Sequence, residues 1–146
     1  MLSLIASIAL ALGFDARLAQ EVALKENPAL DPAIIGTTGD LGLMQINSDY
    51  LDYYLDMYWY GDRHTVARVM GEFVPFQWAN PKHNAYLGIR ILKDLVHNPY
   101  INTWQALIAY NCGLARLKSG LVPESSVQYA TDIYTAWLES KGVPLE

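Results

Sequence analysis

The sequence is poor in cysteine and in charge, and each shortage excludes a class of protein. One cysteine, Cys112, excludes an internal disulfide framework and a cysteine-based metal site. The three histidines, His64, His83 and His97, do not fall in a metal-ligand spacing such as HxxxH. Charged residues make up 17% of the chain, too few for a disordered tail, and the net charge is −5 with no cluster of lysine and arginine. Nucleic acid is therefore not expected as a partner.

Long apolar runs are also missing. The N-terminal segment LSLIASIALALGF covers about 12 apolar residues, whereas a helix that spans a bilayer needs roughly 20. It resembles the apolar part of a signal peptide, with Ala9-Leu10-Ala11 as a possible cleavage site, but no lysine or arginine precedes it, and cleavage there would leave too short an apolar region. We predict that this segment is the first helix, ended by Gly13, and expect no stable membrane insertion.

The 146 residues and the 52% hydrophobic content predict one compact domain over residues 1–146. A chain of this length buries roughly 70% of its extended surface, so its core needs no disulfide or metal. No repeat, low-complexity run or linker interrupts the sequence. We expect a monomer.

Helix signals recur along most of the chain, whereas strand signals are weak. Residues 27–40, rich in proline, glycine and threonine, predict a long loop. In the first half of the chain, the predicted helices are Ala16–Glu26, capped by Asp15, and a helix from Asn47 or Ser48 to about Tyr58. Asn80-Pro81 opens a predicted helix that ends near His97, and Asn102-Thr103 opens one that ends near Asn111. The last predicted helix follows Pro123, runs from about Ser125 to Ser140 and is stopped by Gly142 and Pro144. The predicted fold class is mainly α, with a small irregular or β-like region around residues 39–47.

Four segments together carry a specific motif pattern. Glu26 is followed by NPALDPAI, and GLMQIN starts sixteen residues after Glu26. NPKHNAYLGIRILKDL and then ALIAYNCGLARL follow. In this order and spacing they resemble the SLT-type lytic transglycosylases, relatives of the goose-type lysozymes, over roughly residues 13–130. The resemblance implies an α+β lysozyme-like domain that cleaves the MurNAc-β-1,4-GlcNAc bond of peptidoglycan glycan strands, without metal or organic cofactor.

Two glutamates precede the loop, and each could be the catalytic acid. Matching Glu26 to the family's acid needs one inserted residue and pairs Asp31-Pro32 with the family's Asn-Pro. Matching Glu21 pairs Asn27-Pro28 instead, but needs two extra residues. We choose Glu26, which also ends its helix, and expect Glu21 to be a solvated helix residue.

One carboxyl group suffices for the implied chemistry. In the family, the same glutamate protonates the glycosidic oxygen and then deprotonates the substrate's C6 hydroxyl, which gives a 1,6-anhydro sugar. A protonated carboxyl is needed near neutral pH. If the family arrangement holds, Leu24, Leu43 and Met44 lie near Glu26, and this apolar lining is expected to raise its pKa.

A second carboxylate would instead favour hydrolysis. Asp31 is expected to cap the loop, and Asp40 either faces the cleft or helps to form the turn beside Gly39. Goose-type lysozymes carry aspartates at the positions of Gly36 and Asn47. The absence of aspartate at both positions in this sequence favours transglycosylation.

Further site residues are implied by the resemblance. Met44 and Gln45 would line the sugar subsite, although Gln45 could instead satisfy buried backbone groups. Tyr110 would hydrogen-bond near the acid, or be an ordinary core aromatic. Asn111 is included among the substrate-binding residues, with holding loop backbone as its favoured role. Many members have a serine at the position of Gly36, and its hydroxyl could be supplied by Thr37 or Thr38.

Three further features of the sequence are Cys112, an aromatic run and a segment near the end. Cys112 stands at an alanine position and is expected to be a small buried thiol, because no histidine partners it. The aromatic run DYLDYYLDMYWYGD could offer ring faces that stack on sugars, and its helical spacing also predicts a buried stripe with exposed aspartates. Both roles stay open, with the spare tyrosines and Trp59 expected near the rim of a cleft. Near the end, PESSVQYA places Ser125 and Val127 where many members carry a glutamate and an arginine, although Glu124 could shift into the first position.

Alternative functions are a hydrolytic muramidase, a glycan-binding module without activity, and a helical interaction domain. We expect action at the cell wall or in the periplasm. Without a clear export signal, the chain would arrive by lysis, in a virion, by dedicated secretion, or as a domain of a larger exported protein. A phage-encoded or secretion-associated enzyme is the preferred hypothesis.

Overall fold

The computed structural model describes residues 1–143, and most of these residues are helical. The α-helices are α1 (Leu2–Ala11), α2 (Ala16–Glu26), α3 (Leu51–Tyr58), α4 (Arg63–Met70), α5 (Pro81–Val96), α6 (Thr103–Cys112), α7 (Leu114–Ser119) and α8 (Glu124–Ser140). A two-stranded antiparallel sheet joins β1 (Asp40–Leu41) to β2 (Ile46–Asn47). The predicted mainly α fold class and the small β-like region around residues 39–47 are confirmed.

The chain divides into two compact units. The first, Met1–Arg90, holds α1 to α4, the sheet and most of α5. The second begins at Ile91 and holds the end of α5 followed by α6, α7 and α8. The single domain over residues 1–146 stays a prediction.

The apolar N-terminal segment forms α1, as predicted, and packs on α2. Ile5 and Ile8 of α1 and Leu18 and Val22 of α2 are buried. Gly13 ends this segment with a φ of 68°, a left-handed conformation that glycine adopts without steric cost. No helix within residues 1–143 combines the length and the apolar character needed to cross a membrane.

Local capping fixes the helix starts that the sequence predicted. Asp15 Oδ1 accepts from the Leu18 amide at 2.9 Å and opens α2. Asn80 Oδ1 accepts from the amides of Lys82 and His83 at the start of α5. Asn102 and Gln105 form a reciprocal capping box at α6. At the end of α8, Gly142 is left-handed, while Pro144 lies outside the described residues.

Helix α4 was not predicted, and its cap is part of a polar network. Asp62 Oδ1 accepts from the amide and hydroxyl of Thr65, and Asp62 Oδ2 accepts from Arg90 Nη1 at 2.9 Å. Burial raises the pKa of Asp62, but the hydrogen bonds from Thr65 and Arg90 outweigh it and lower the pKa below its ordinary value. The Arg90–Asp62 bond ties α5 to the start of α4, and Arg90 Nη1 also donates to Tyr86 Oη, within α5, at 2.8 Å.

Trp59 lies in the aromatic core of the first unit. It is fully buried, and its Nε1 donates to the Val74 carbonyl at 2.9 Å. Phe76 and Tyr86 pack edge-on against its ring. The prediction that Trp59 lies at a cleft rim is wrong, because a large indole is stabilised more by complete burial with its N–H bonded than by an exposed position.

His83 is a buried histidine in the same core. Its Nδ1 accepts from the Gln77 amide at 3.1 Å, and its ring lies 4.8 Å from that of Trp59. Burial lowers the pKa of His83, and the charge of Lys82 adds to the effect. The neutral imidazole is therefore the form that this packing stabilises.

The first unit should lose stability in mild acid because of His83. The unfolded chain takes up this proton near the ordinary pKa of about 6.5, and the folded chain does so only at lower pH. The free energy of unfolding therefore falls as the pH drops from about 6.5 towards the pKa of His83 in the folded chain. The loss is about 1.4 kcal/mol for each pH unit between the unfolded and the folded pKa. Urea unfolding of wild type and His83→Gln across this range measures it, because the amide keeps an acceptor for Gln77 without titrating there.

The matched control is His64→Gln, which alters an exposed imidazole on α4. We expect it to keep the acid-induced loss that His83→Gln removes. An equal loss in all three proteins would assign the acid sensitivity to other groups.

In the second unit, α6 packs against α7 and α8. The buried side chains include Leu107 and Ile108 of α6 and Ile133 of α8. Trp104 Nε1 donates to Thr131 Oγ1 at 3.1 Å, which adds a polar tie between α6 and α8.

Candidate active site

Glu26 is the last residue of α2, and it is half-buried. The chain leaves the helix at Asn27, whose buried side chain bridges two segments. Its Nδ2 donates to the Asp31 carbonyl at 2.7 Å and to the Gly42 carbonyl at 3.3 Å, and its Oδ1 accepts from the Asp31 amide. Asn27 therefore joins the Glu26 end of α2 to the first residue of GLMQIN.

The sheet presents GLMQIN as the turn of a hairpin. Asp40 pairs with Asn47 and Leu41 with Ile46. On the other side of β1, the Gly36 amide donates to the Asp40 carbonyl and the Gly42 amide to the Ile34 carbonyl, both at 2.8 Å. The loop after Glu26 thus runs back along β1 and supports the turn.

Gln45 lies in this turn in a left-handed conformation, with a φ of 53°. Its Nε2 donates to the Gly42 carbonyl at 2.9 Å, so this oxygen accepts from both Asn27 and Gln45. One of the two predicted roles of Gln45, to satisfy buried backbone groups, is thus observed for its side-chain nitrogen. Within residues 1–143, Oε1 of Gln45 receives no hydrogen bond. Every fully buried polar side-chain atom in this range has a hydrogen-bond partner, so Oε1 is not fully buried and reaches solvent.

Gly36 lies against the Gln45 carboxamide. A Cβ atom at position 36 would collide with Oε1 of Gln45. The absence of a side chain at position 36 therefore leaves the space that the Gln45 oxygen occupies.

Asn84 fixes the turn from α5, and the sequence did not single it out. It is fully buried; its Oδ1 accepts from the Met44 amide at 2.8 Å, and its Nδ2 donates to the carbonyls of Leu41 and Trp78. A signal existed, since an amide among the apolar positions of the predicted helix needs polar partners. Gly42 is required beside it, because a Cβ there would lie 2.9 Å from the Trp78 carbonyl oxygen.

The side chain of Met44 points into the core of the first unit. Its side chain is fully buried, and a Cβ at Gly88 of α5 would lie 2.6 Å from its sulfur. In this structure Met44 anchors the turn to α5, while Gln45 is the residue of the pair that reaches solvent.

Three other carboxylates near Glu26 or the hairpin, those of Glu21, Asp31 and Asp40, have local partners. Thr38 Oγ1 donates to Asp40 Oδ2 at 2.9 Å, and Asp31 Oδ1 accepts from the Ala33 amide, so the predicted cap at Asp31 is confirmed. Glu21 accepts from Arg17 Nε at 2.8 Å, and its side chain is only 15% exposed. The prediction of a solvated Glu21 is wrong, because its side chain is largely buried and pairs with Arg17, one turn earlier on α2.

The remaining predicted residues lie in the second unit, on α6. Tyr110 is half-buried. Asn111 is exposed, and its Oδ1 accepts from Oγ of the buried Ser126 at 2.7 Å, so it binds a side chain of α8 instead of the predicted loop backbone. Cys112 is half-buried, more exposed than predicted, with its sulfur 3.7 Å from the Gly113 carbonyl.

The site residues are carboxyl, amide and hydroxyl groups, and within residues 1–143 no group of three or more histidine, cysteine, aspartate or glutamate side chains is placed to hold a metal ion. In the first unit, hydrogen bonds from Asn27 and Gln45 to the Gly42 carbonyl join the end of α2, where Glu26 lies, to the hairpin turn that carries the Gln45 amide. A carboxyl can transfer a proton, and the amide oxygen can accept a hydrogen bond from a hydroxyl or an N–H group.

Comparison with known proteins identifies the family. The family model described as the transglycosylase SLT domain matches residues 3–133, which run from α1 into α8. No curated protein and no solved structure matches the chain. Since the family model covers most of the sequence, the chain belongs to the transglycosylase SLT domain family.

Proposed function

We propose that the chain is a peptidoglycan lytic transglycosylase that cleaves the MurNAc-β-1,4-GlcNAc bond and leaves a 1,6-anhydro-MurNAc end. Family membership supports the substrate class, since SLT domains are typically lytic transglycosylases. The observation that carries the proposal is the shared Gly42 carbonyl, which accepts from Asn27 beside Glu26 and from the Gln45 amide. It supports a proton-transfer group and a sugar-binding group at one site.

Glu26 supplies both proton transfers in this proposal. Its carboxyl group protonates the glycosidic oxygen as the C1–O bond breaks, and the resulting carboxylate takes the proton of the C6 hydroxyl as that oxygen bonds to C1. The carboxyl is regenerated and no water is consumed. Gln45 Oε1 accepts a hydrogen bond from the N-acetyl N–H or a hydroxyl of the bound sugar.

The other residues have supporting roles. Thr38 and Asp40 bond to each other, and we assign them to shaping the hairpin. Met44 supports the turn by packing its side chain against Gly88 of α5. Tyr110 and Asn111 stay in the proposal on the resemblance, with Tyr110 as a hydrogen-bond partner near the acid.

The alternative is hydrolysis by a muramidase, which needs a base for a water molecule. Asp31 and Asp40 are the first two aspartates after Glu26 in sequence, and each accepts a local hydrogen bond. These bonds support transglycosylation, in which the substrate's own hydroxyl is the nucleophile.

Product analysis decides between the two reactions. Purified sacculi are digested in ¹⁸O-labelled water, and the muropeptides are analysed by mass spectrometry before and after borohydride reduction. We expect anhydro-MurNAc ends that carry no label and resist reduction. Reducing MurNAc ends labelled from solvent would instead identify a muramidase, and unchanged sacculi would support a binding module without activity.

We place the activity at the cell wall, where the substrate is. Expression inside and outside the cell membrane of a bacterial host, followed by lysis assays, tests how the chain reaches it. Lysis from the cytoplasm only with a separate pore-forming protein would support delivery by lysis.

A further inference from the structure

The exposed side of α3 carries a group of aromatic and apolar side chains that the proposed reaction does not use. Tyr50 and Tyr53 are 57% and 58% exposed, and Met57 is 42% exposed. Their spacing of three and four residues places them on one side of the helix. We call Tyr50, Tyr53 and Met57 the tyrosine face.

The two exposed rings are held by packing beneath them. Tyr54 lies half-buried between them, with ring centroids 6.4 Å from Tyr50 and 5.7 Å from Tyr53. Tyr54 in turn stacks on the buried Tyr58, at 6.5 Å and an interplanar angle of 23°. The tyrosine face is thus supported from the core, which lowers the entropy that its rings lose when they bind a ligand.

The charge around the face restricts its ligand. Asp49, Asp52 and Asp56 flank it and are exposed, and the sequence from 47 to 62 contains no lysine or arginine. Such a surface repels phosphates and carboxylates, which disfavours nucleic acid and anionic lipid. Neutral pyranose rings fit, because their C–H faces pack on aromatic rings while their hydroxyls donate to carboxylates.

The face begins where the hairpin ends. Asn47 closes β2, and its Oδ1 accepts from the Asp49 amide at 2.8 Å, in the 3-10 turn Ser48–Tyr50 that leads into α3. Five residues separate Gln45 from Tyr50, so their Cα atoms lie at most about 18 Å apart. A saccharide chain at Gln45 needs only a few units to reach Tyr50.

We propose that the tyrosine face binds neutral N-acetylhexosamine rings of the glycan strand, beyond the unit held by Gln45. This inference rests on the proposed function for its ligand class, but it does not depend on cleavage. The aromatic rings supply the contact area, and the aspartates bind the sugar hydroxyls.

Calorimetric titration with chitohexaose tests the proposal. The Tyr50→Ala/Tyr53→Ala variant should bind roughly tenfold more weakly than wild type, because it loses two stacking contacts. Tyr50→Phe/Tyr53→Phe should retain most of the affinity, since the rings remain. Tyr100→Ala, which removes a tyrosine that is 91% exposed, is the control and should bind as wild type does.

A second measurement needs no variant that could fail to fold. In wild type, the ring resonances of Tyr50 and Tyr53 should shift during the titration, while those of Tyr100 should not. Unchanged Tyr50 and Tyr53 resonances, or equal affinities of wild type and the alanine variant, would overturn the proposal, as would binding of oligolysine at these rings with no binding of chitohexaose. Sugar binding through these rings without anhydro products would overturn the proposed function alone.

Discussion

Replacing Glu26 with glutamine should reduce the cleavage of sacculi by about 10²–10⁴-fold, the range that a positioned acid or base contributes. The amide has nearly the same shape, but it can neither deliver the first proton nor accept the second. Glu26 is half-buried at the end of α2, so we expect the variant to fold. The measurement is the release of anhydro-muropeptides over time, with folding checked by circular dichroism.

Glu21→Gln is the matched control, because Glu21 is the competing candidate on the same helix. Its carboxylate pairs with Arg17 at 2.8 Å, and we expect the variant to keep most of the activity. The reverse pattern, with Glu21→Gln inactive and Glu26→Gln active, would move the catalytic assignment by five residues. Full activity in both variants would remove the single-glutamate mechanism.

Replacing Asn84 with alanine should have the largest effect on the first unit's stability. The change removes three buried hydrogen bonds, from the Met44 amide and to the carbonyls of Leu41 and Trp78. Each such bond contributes about 1 kcal/mol, so the expected loss is about 3 kcal/mol. The free energy of unfolding from urea titration measures it.

The same substitution should also lower activity at temperatures where the chain stays folded. Asn84 holds the turn that carries Gln45, and small displacements of positioning groups reduce rates strongly. Asn98→Ala removes a single hydrogen bond, to the Tyr100 amide, and serves as the control with an expected cost under about 1 kcal/mol. Equal losses of stability in the two variants would contradict the role assigned to Asn84.

The parts of the fold that depend on neighbours in sequence were predictable. Asp15, Asn80 and Asn102 cap their helices through partners two or three residues away, so the sequence contains the whole interaction. A small β-like region around residues 39–47 was predicted, but its hairpin of Asp40–Leu41 and Ile46–Asn47 was not. The short helices α4 and α7 were missed, although Asp62 and Gly71 are ordinary signals for the start and end of α4.

The parts that depend on distant partners were not predictable. Asn84 contacts the turn across 40 or more residues, and Gly42 accepts from Asn27 across 15. Trp59 is buried by Phe76 and Tyr86, which its own helix does not reveal. Glu21 was expected to be solvated because helix position alone does not show that its side chain is largely buried.

The long-range bonds of Asn84 also constrain the order in which the first unit can fold. Closing a loop of 40 residues costs entropy that is recovered only after both ends are in place. A nascent chain that has emerged as far as α4 already contains Glu26 and Gln45, but it lacks the side chain that satisfies the Met44 amide. The glutamate and the amide are therefore synthesised early, and the turn that carries the amide is completed only when α5 docks.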